Sequence, residues 1–171
     1  MNTMERKNAV TFQGTPLTVV GPELKVGDAA PDFYVVDHAL KTVTLKSSQG
    51  QIRLVSAVPS IDTPVCELQT KRFNSEAAKL PADIVLMTVS MDLPFAQTRW
   101  CGATGIDRMQ MVSDYQAASF GQAYGVLIKE LRLLARSVFV IGPDDRIKYV
   151  EYVKEVTHHP DYDKVLSFLK G

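Results

Sequence analysis

Residues 52–66 read IRLVSAVPSIDTPVC, and this stretch decides the architecture. Ile52 to Val58 is a β-rich apolar run that stops at Pro59. Thr63 followed by Pro64 starts a helix. Threonine suits the N-cap, and proline suits the first helical position because its missing N–H is not needed there. On that count Cys66 is the third helical residue. It lies in the first turn, where free backbone N–H groups and the helix dipole favour negative charge and hence a thiolate. The spacing of Val65, Leu68, Phe73 and Ala77 predicts a helix over 64–80. A cysteine near a helix start is also compatible with an inert, buried side chain, and the flanking Thr63 and Pro64 favour the reactive reading.

Beyond this unit, Ile84 to Ser90 (IVLMTVS) is a near-continuous apolar run, which suits a strand buried on both faces. A second helix is expected over Leu93 to Cys101, with Asp92 as its N-cap and Gly102 and Gly105 as stop signals. Met109 to Val112 predicts a strand, Gln116 to Tyr124 a helix, Arg136 to Ile141 and Ile147 to Val153 a hairpin, and Asp161 to Leu169 a terminal helix. Upstream, Phe33 to Val36 and Val43 to Leu45 read as short strands. Val10 to Val20 reads as an N-terminal hairpin around Gly14, Thr15 and Pro16. The leucine-rich stretch from Leu127 to Leu134 is expected to face the core or a partner. Strand–helix alternation followed by a hairpin and a helix predicts an α/β protein with a central mixed β-sheet flanked by helices. That is the order of a thioredoxin-like fold with an added N-terminal β-hairpin.

The 171 residues fit a single domain, 1–171, large enough to bury its own core without a disulfide or metal staple. Lys plus Arg and Asp plus Glu are both 19, and this balance argues against a dedicated nucleic-acid or membrane-surface binder. The N-terminal MNTMERKNAV has no signal-peptide core, so a cytoplasmic protein is expected. With 2 cysteines there is no secreted-type disulfide framework. In a reducing compartment any disulfide is more often transient and catalytic. His158 and His159 read as a solvated loop, since a zinc site would lack ligands.

Pro59, Thr63 and Cys66 form the P-x-x-x-T-x-x-C signature of peroxiredoxins, and PSIDTPVC resembles their thiol peroxidase branch. Further similarity runs along nearly the whole chain: FQGTPLTV from Phe12, SMDLPFAQTRWC from Ser90, AYGV from Ala123, LARSVFVI from Leu134 and HPDYD from His159. The family more often has an acidic residue where His159 stands.

This resemblance implies an atypical two-cysteine peroxidase. Cys66 would attack the hydroperoxide and become a sulfenic acid, and Cys101 would resolve it by forming an intramolecular disulfide. Thr63 would donate toward the thiolate and the peroxide oxygens, besides any helix-capping role. Pro59 would close the pocket against water, and Arg136 would stabilise the thiolate and orient the peroxide. The spacing of Arg136 alone equally fits a surface arginine at a strand start. The family also implies thioredoxin as electron donor, a homodimer, and no cofactor or metal. Bottom-up, Cys101 lies at the glycine-flanked end of a short helix, so the ends of both helices are expected to unwind before the sulfurs meet. Phe95 and Trp100 are expected in core or interface packing, and Arg99 on a solvated helix face. The alternatives are a redox sensor or relay on the same fold, and a cysteine hydrolase pairing Cys66 with a histidine. The lack of C-x-x-C disfavours a thioredoxin-type oxidoreductase, and no cysteine-protease signature surrounds Cys66.

Overall fold

A computed structural model describes residues 4–171; the first three residues of the N-terminal segment read above lie outside the described residues. The chain runs β1 (Glu5–Phe12), β2 (Thr15–Val20), β3 (Tyr34–Val36), β4 (Thr42–Thr44), a 3-10 turn (Leu45–Ser48), β5 (Arg53–Ala57), α1 (Pro64–Ala77) and β6 (Val85–Ser90). It continues with α2 (Pro94–Thr104), β7 (Gln110–Ser113), α3 (Ser119–Ala123), β8 (Leu127–Ile128), β9 (Leu133–Leu134), β10 (Ser137–Ile141), β11 (Ile147–Tyr152) and α4 (Tyr162–Lys170).

Seven strands form a mixed sheet in the order β11-β10-β5-β6-β7-β3-β4. The pairs β5·β6 and β6·β7 are parallel, as helical crossovers require, while β10 runs antiparallel to both β5 and β11. The two-residue period of a strand sends alternate side chains to opposite faces. Leu54, Val138 and Val140 enter one apolar cluster with Phe73 and Ala77 of α1 and Val165 and Leu166 of α4. Val55, Ala57, Phe139 and Ile141 enter the other, with Phe120 and Tyr124 and the buried residues of the N-terminal hairpin. Strands β5 and β10 are buried throughout because both faces are covered. Among the described residues no helix is long and apolar enough to cross a membrane.

The expected N-terminal hairpin is present, but its turn is Gln13-Gly14. Both residues have positive φ, 50° and 81°, as the tight hairpin turn requires, and Thr15 and Pro16 already lie in β2. The stretch Leu127–Leu134 forms two short strands, β8 and β9, that extend the hairpin to a four-stranded sheet, β1-β2-β8-β9. Helix α1 ends at Ala77, and its inward stripe is Cys66, Gln69, Thr70, Phe73 and Ala77, whereas Leu68 is 55% exposed. The helix expected over 116–124 shrinks to Ser119–Ala123, because Ala118 takes a left-handed φ of 51°. The Asp114 carboxylate then accepts from the N–H groups of Phe120 (3.1 Å) and Gly121 (2.8 Å).

The hairpin is tied to the segment after β11. Thr11 N–H donates to Lys154 O and Val156 N–H to Thr11 O, both at 2.8 Å. The Glu155 carboxylate accepts from Gly14 N (2.8 Å), Thr11 Oγ1 (3.0 Å), Thr157 N (2.8 Å) and Thr157 Oγ1 (2.6 Å). These donors, Thr157 first, hold its pKa down at about 2. A carboxylate whose folded pKa is depressed contributes stability above its ordinary pKa, and that stability is lost as pH falls through the folded value. Glu155→Gln is therefore expected to lower the melting temperature near neutral pH, with the deficit shrinking as pH falls from about 4.5 toward about 2. Thermal unfolding of both proteins across that range checks this, and a constant deficit would refute it.

Candidate active site

The end of β5 and the start of α1 deliver Cys66 to a buried position beside Arg136. Thr63 is the N-cap residue, with extended backbone, and Pro64 opens the helix as expected. Pro59 is buried between β5 and this turn, and Cys66 is fully buried. The Thr63 hydroxyl neither caps the helix nor reaches the sulfur; it donates to Ser60 O at 2.9 Å. The capping reading of its side chain is thus corrected: the Ser60 carbonyl, three residues back, captures the proton.

Arg136 stands immediately before β10, the strand beside β5, and is 2% exposed, not a surface arginine. Its Nη2 donates to Cys66 Sγ at 3.2 Å, its Nη1 to Gln69 Oε1 at 2.8 Å, and its Nε to Val156 O at 2.9 Å. The structure thus brings together Cys66 and Arg136, 70 positions apart. Gln69 is one helical turn after Cys66 and fully buried. Its amide nitrogen donates to Ser56 Oγ at 2.6 Å, which fixes its oxygen on the arginine, a donor-only group. Sequence reasoning missed Gln69, Ser56 and the Val156 carbonyl. Only Gln69 carried a local signal, its i+3 spacing from Cys66.

Cys101 is in the last turn of α2, half-buried, and both thiols are free. The helix runs through Gly102 and stops at Gly105, whose left-handed φ of 71° lets its N–H reach Cys101 O at 2.9 Å. Burial raises the Cys101 pKa, which keeps this thiol protonated while it stays folded in place. Cys101 and Trp100 pack against the same apolar cluster that holds Cys66. Phe95 is 67% exposed and does not join the core, and Arg99 is exposed as expected. Glu67 pairs with Lys71 at 2.5 Å on the outer face of α1.

Asp92 is not the N-cap of α2; Leu93 is. The Asp92 carboxylate instead accepts from Ser60 Oγ (2.7 Å), Ile61 N (2.9 Å) and Ser90 Oγ (2.6 Å). His158 and His159 are exposed as expected, and His159 Nδ1 lies 2.7 Å from Tyr162 Oη.

The Redoxin family matches residues 25–166. Curated relatives named thiol peroxidase include those of Halalkalibacterium halodurans, 54% identical over 163 residues (95% of this chain, 98% of the relative), and Bacillus subtilis, 54% identical over 162 residues (95% and 96%). Among solved structures, a peroxiredoxin-like protein from Aquifex aeolicus is 40% identical with a TM-score of 0.89, covering 95% of this chain and 96% of that one. A thiol peroxidase from Chromobacterium violaceum, 21% identical and covering 94% of each chain, shares the fold with a TM-score of 0.83. A thioredoxin-like fold, a cysteine at a helix start under a buried arginine, and these relatives converge on one assignment: the chain belongs to the redoxin family and, within it, to the thiol peroxidases of the peroxiredoxin type.

Proposed function

We propose that this thiol-dependent peroxidase works through Cys66 as the peroxidatic cysteine and Cys101 as the resolving one. The observation that carries the reading is the guanidinium of Arg136 donating to a fully buried sulfur at a helix N-terminus. The partial positive charge of the helix end and the full charge of the arginine converge on one atom. The Cys66 thiolate attacks the terminal oxygen of a hydroperoxide. The S–O bond forms as the O–O bond breaks, the alkoxide or hydroxide leaves and takes a proton, and Cys66 becomes a sulfenic acid. Arg136 orients the peroxide and stabilises the departing charge. Thr63 serves the same oxygens by exchanging its bond to Ser60 O for one to peroxide, and Pro59 keeps water from the sulfenate.

The Cys101 thiolate then attacks the Cys66 sulfur and expels hydroxide, giving the intramolecular disulfide and water. Burial keeps Cys101 protonated in its folded position, so this step follows release of the last turn of α2 and accelerates as pH rises. A dithiol of the thioredoxin class reduces the disulfide by exchange and is itself oxidised. The chain acts as one domain, in the cytoplasm, as a homodimer. Exposed Leu93 and Phe95, the latter lining a cleft with Ile61 and Asp62, support pairing on this side.

Intact mass of the reduced protein after one equivalent of hydrogen peroxide tests the reading. Loss of two hydrogens per chain is expected, with no added oxygen retained. An unchanged mass would leave the fold without the activity, and disulfide formation without thioredoxin-supported turnover would favour a redox relay. Cys101→Ser is expected to complete a single turnover and then stall with thioredoxin as reductant. Sustained recycling of that variant would remove Cys101 from the cycle.

A further inference from the structure

On the proposed mechanism Cys101 reaches Cys66 by release of two helix ends, and the hydrogen bonds around Asp92 join the segments that carry them. Asp92 sits between β6 and α2, yet it serves the loop ahead of α1. Ser60 Oγ and Ile61 N donate to its carboxylate at 2.7 and 2.9 Å. Ser60 is the hub of that loop: its Oγ also accepts from Asp62 N (3.2 Å), and its carbonyl holds the Thr63 hydroxyl (2.9 Å). Thr63 is the N-cap residue of the turn that contains Cys66.

On its other side the carboxylate accepts from Ser90 Oγ at 2.6 Å, and Ser90 Oγ accepts from Gln97 Nε2 at 3.0 Å. Gln97 lies one helical turn before Cys101 and is 1% exposed. A continuous chain of hydrogen bonds, Gln97 to Ser90 to Asp92 to Ser60 and Ile61, thus connects the helix of one cysteine to the loop that starts the helix of the other. Bonds to an ionised acceptor are the stronger members of such a chain. A cleft of about 560 Å³ in the single chain, lined by Ile61, Asp62, Asp92, Phe95, Arg99 and Trp100, lies at this junction.

We propose that Asp92 is a positioning residue that latches the Cys66 loop to the Cys101 helix and thereby sets how much Cys66 sulfenic acid proceeds to the disulfide. This inference rests on the peroxidase reading above. The sulfenic acid has two fates. Attack by Cys101 gives the disulfide and water; a second hydroperoxide oxidises it to sulfinic acid and is itself reduced to water or an alcohol. A tight latch lengthens the life of the folded sulfenic acid and favours the second fate. A loosened latch favours the first.

Asp92→Asn keeps the shape and removes the charge. It is expected to raise the rate of disulfide formation roughly threefold to tenfold and to lower the sulfinic fraction at a fixed peroxide dose correspondingly. Ser60→Ala, which retains the carbonyl that Thr63 uses, is expected to move both in the same direction by less, and it keeps the test intact if Asp92→Asn folds poorly. Stopped-flow fluorescence of Trp100, the 1 tryptophan of the chain and the neighbour of Cys101, follows the step, and intact mass counts sulfinic acid. A merely structural role would lower the melting temperature without moving this partition. Wild-type disulfide formation matched in rate and partition by both variants would overturn the latch alone, as would variants whose peroxide and disulfide steps slow together. A wild-type protein that consumes no peroxide would overturn the peroxidase reading and the latch with it.

Discussion

Replacing Cys66 by serine is expected to abolish peroxide consumption, a loss of several orders of magnitude, in a variant that still unfolds cooperatively. The substitution changes one atom. The hydroxyl fits the space of the thiol and can accept from Arg136 Nη2 in place of the sulfur, which now sits 3.2 Å away. What disappears is the thiol nucleophile, since an alcohol keeps its proton even at a helix N-terminus. No second reactive thiol compensates, because burial holds Cys101 protonated. Peroxide consumption with a dithiol reductant, read beside thermal unfolding, checks both halves. Turnover within about tenfold of wild type would place the chemistry at another atom.

Arg136→Ala is expected to slow the peroxide step by roughly a hundredfold to a thousandfold, the usual effect of deleting one preorganised donor from a desolvated site. Two contributions vanish together: the positive charge beside the sulfur and the donor that orients the peroxide. The structure adds a stability cost, since Arg136 is 2% exposed and its loss strands Gln69 Oε1 and Val156 O. That cost is about 1–3 kcal/mol per stranded group, less any water that enters the space. Arg136→Lys separates the effects. It keeps the charge but cannot reproduce three bonds from a planar fork, so it should recover part of the rate and little of the geometry. Single-turnover rates under excess peroxide are the measurement. An alanine variant at the wild-type rate would remove Arg136 from the site.

The parts of the site written in neighbouring residues were legible. Thr63-Pro64 starts a helix by local chemistry alone, so Cys66 could be placed in its first turn. The two-sided burial of β6 was visible in its near-continuous apolar run. Arg136 was not legible from spacing, because its meeting with Cys66 depends on β10 lying beside β5, and only the resemblance supplied it. The inward stripe of α1 misled the hydrophobic pattern. It includes Gln69 and Thr70, which are polar yet buried, while the apolar Leu68 faces out. Asp92 shows the limit of a local rule: a capping signal was present, but Ser60 and Ile61, 32 and 31 positions away, supplied the donors. Strands β8 and β9, two residues each, are too short for a periodicity to register.

The arginine pocket has a consequence for the energetics of the redox couple. Arg136 is a permanent cation held by a carbonyl oxygen, a neutral amide oxygen and a sulfur, and of these three acceptors only the sulfur can become negative. Had an acid stood where Gln69 stands, the guanidinium would already have a counter-ion. As built, no carboxylate is among the three acceptors of the guanidinium. In the proposed disulfide that sulfur can no longer take up negative charge, and a cation at this depth without a counter-charge is costly. In the proposed cycle oxidation would therefore weaken the Arg136–sulfur contact that helps hold the first turn of α1. The same imbalance favours the dithiol over the disulfide, which makes the oxidised enzyme the easier one to reduce.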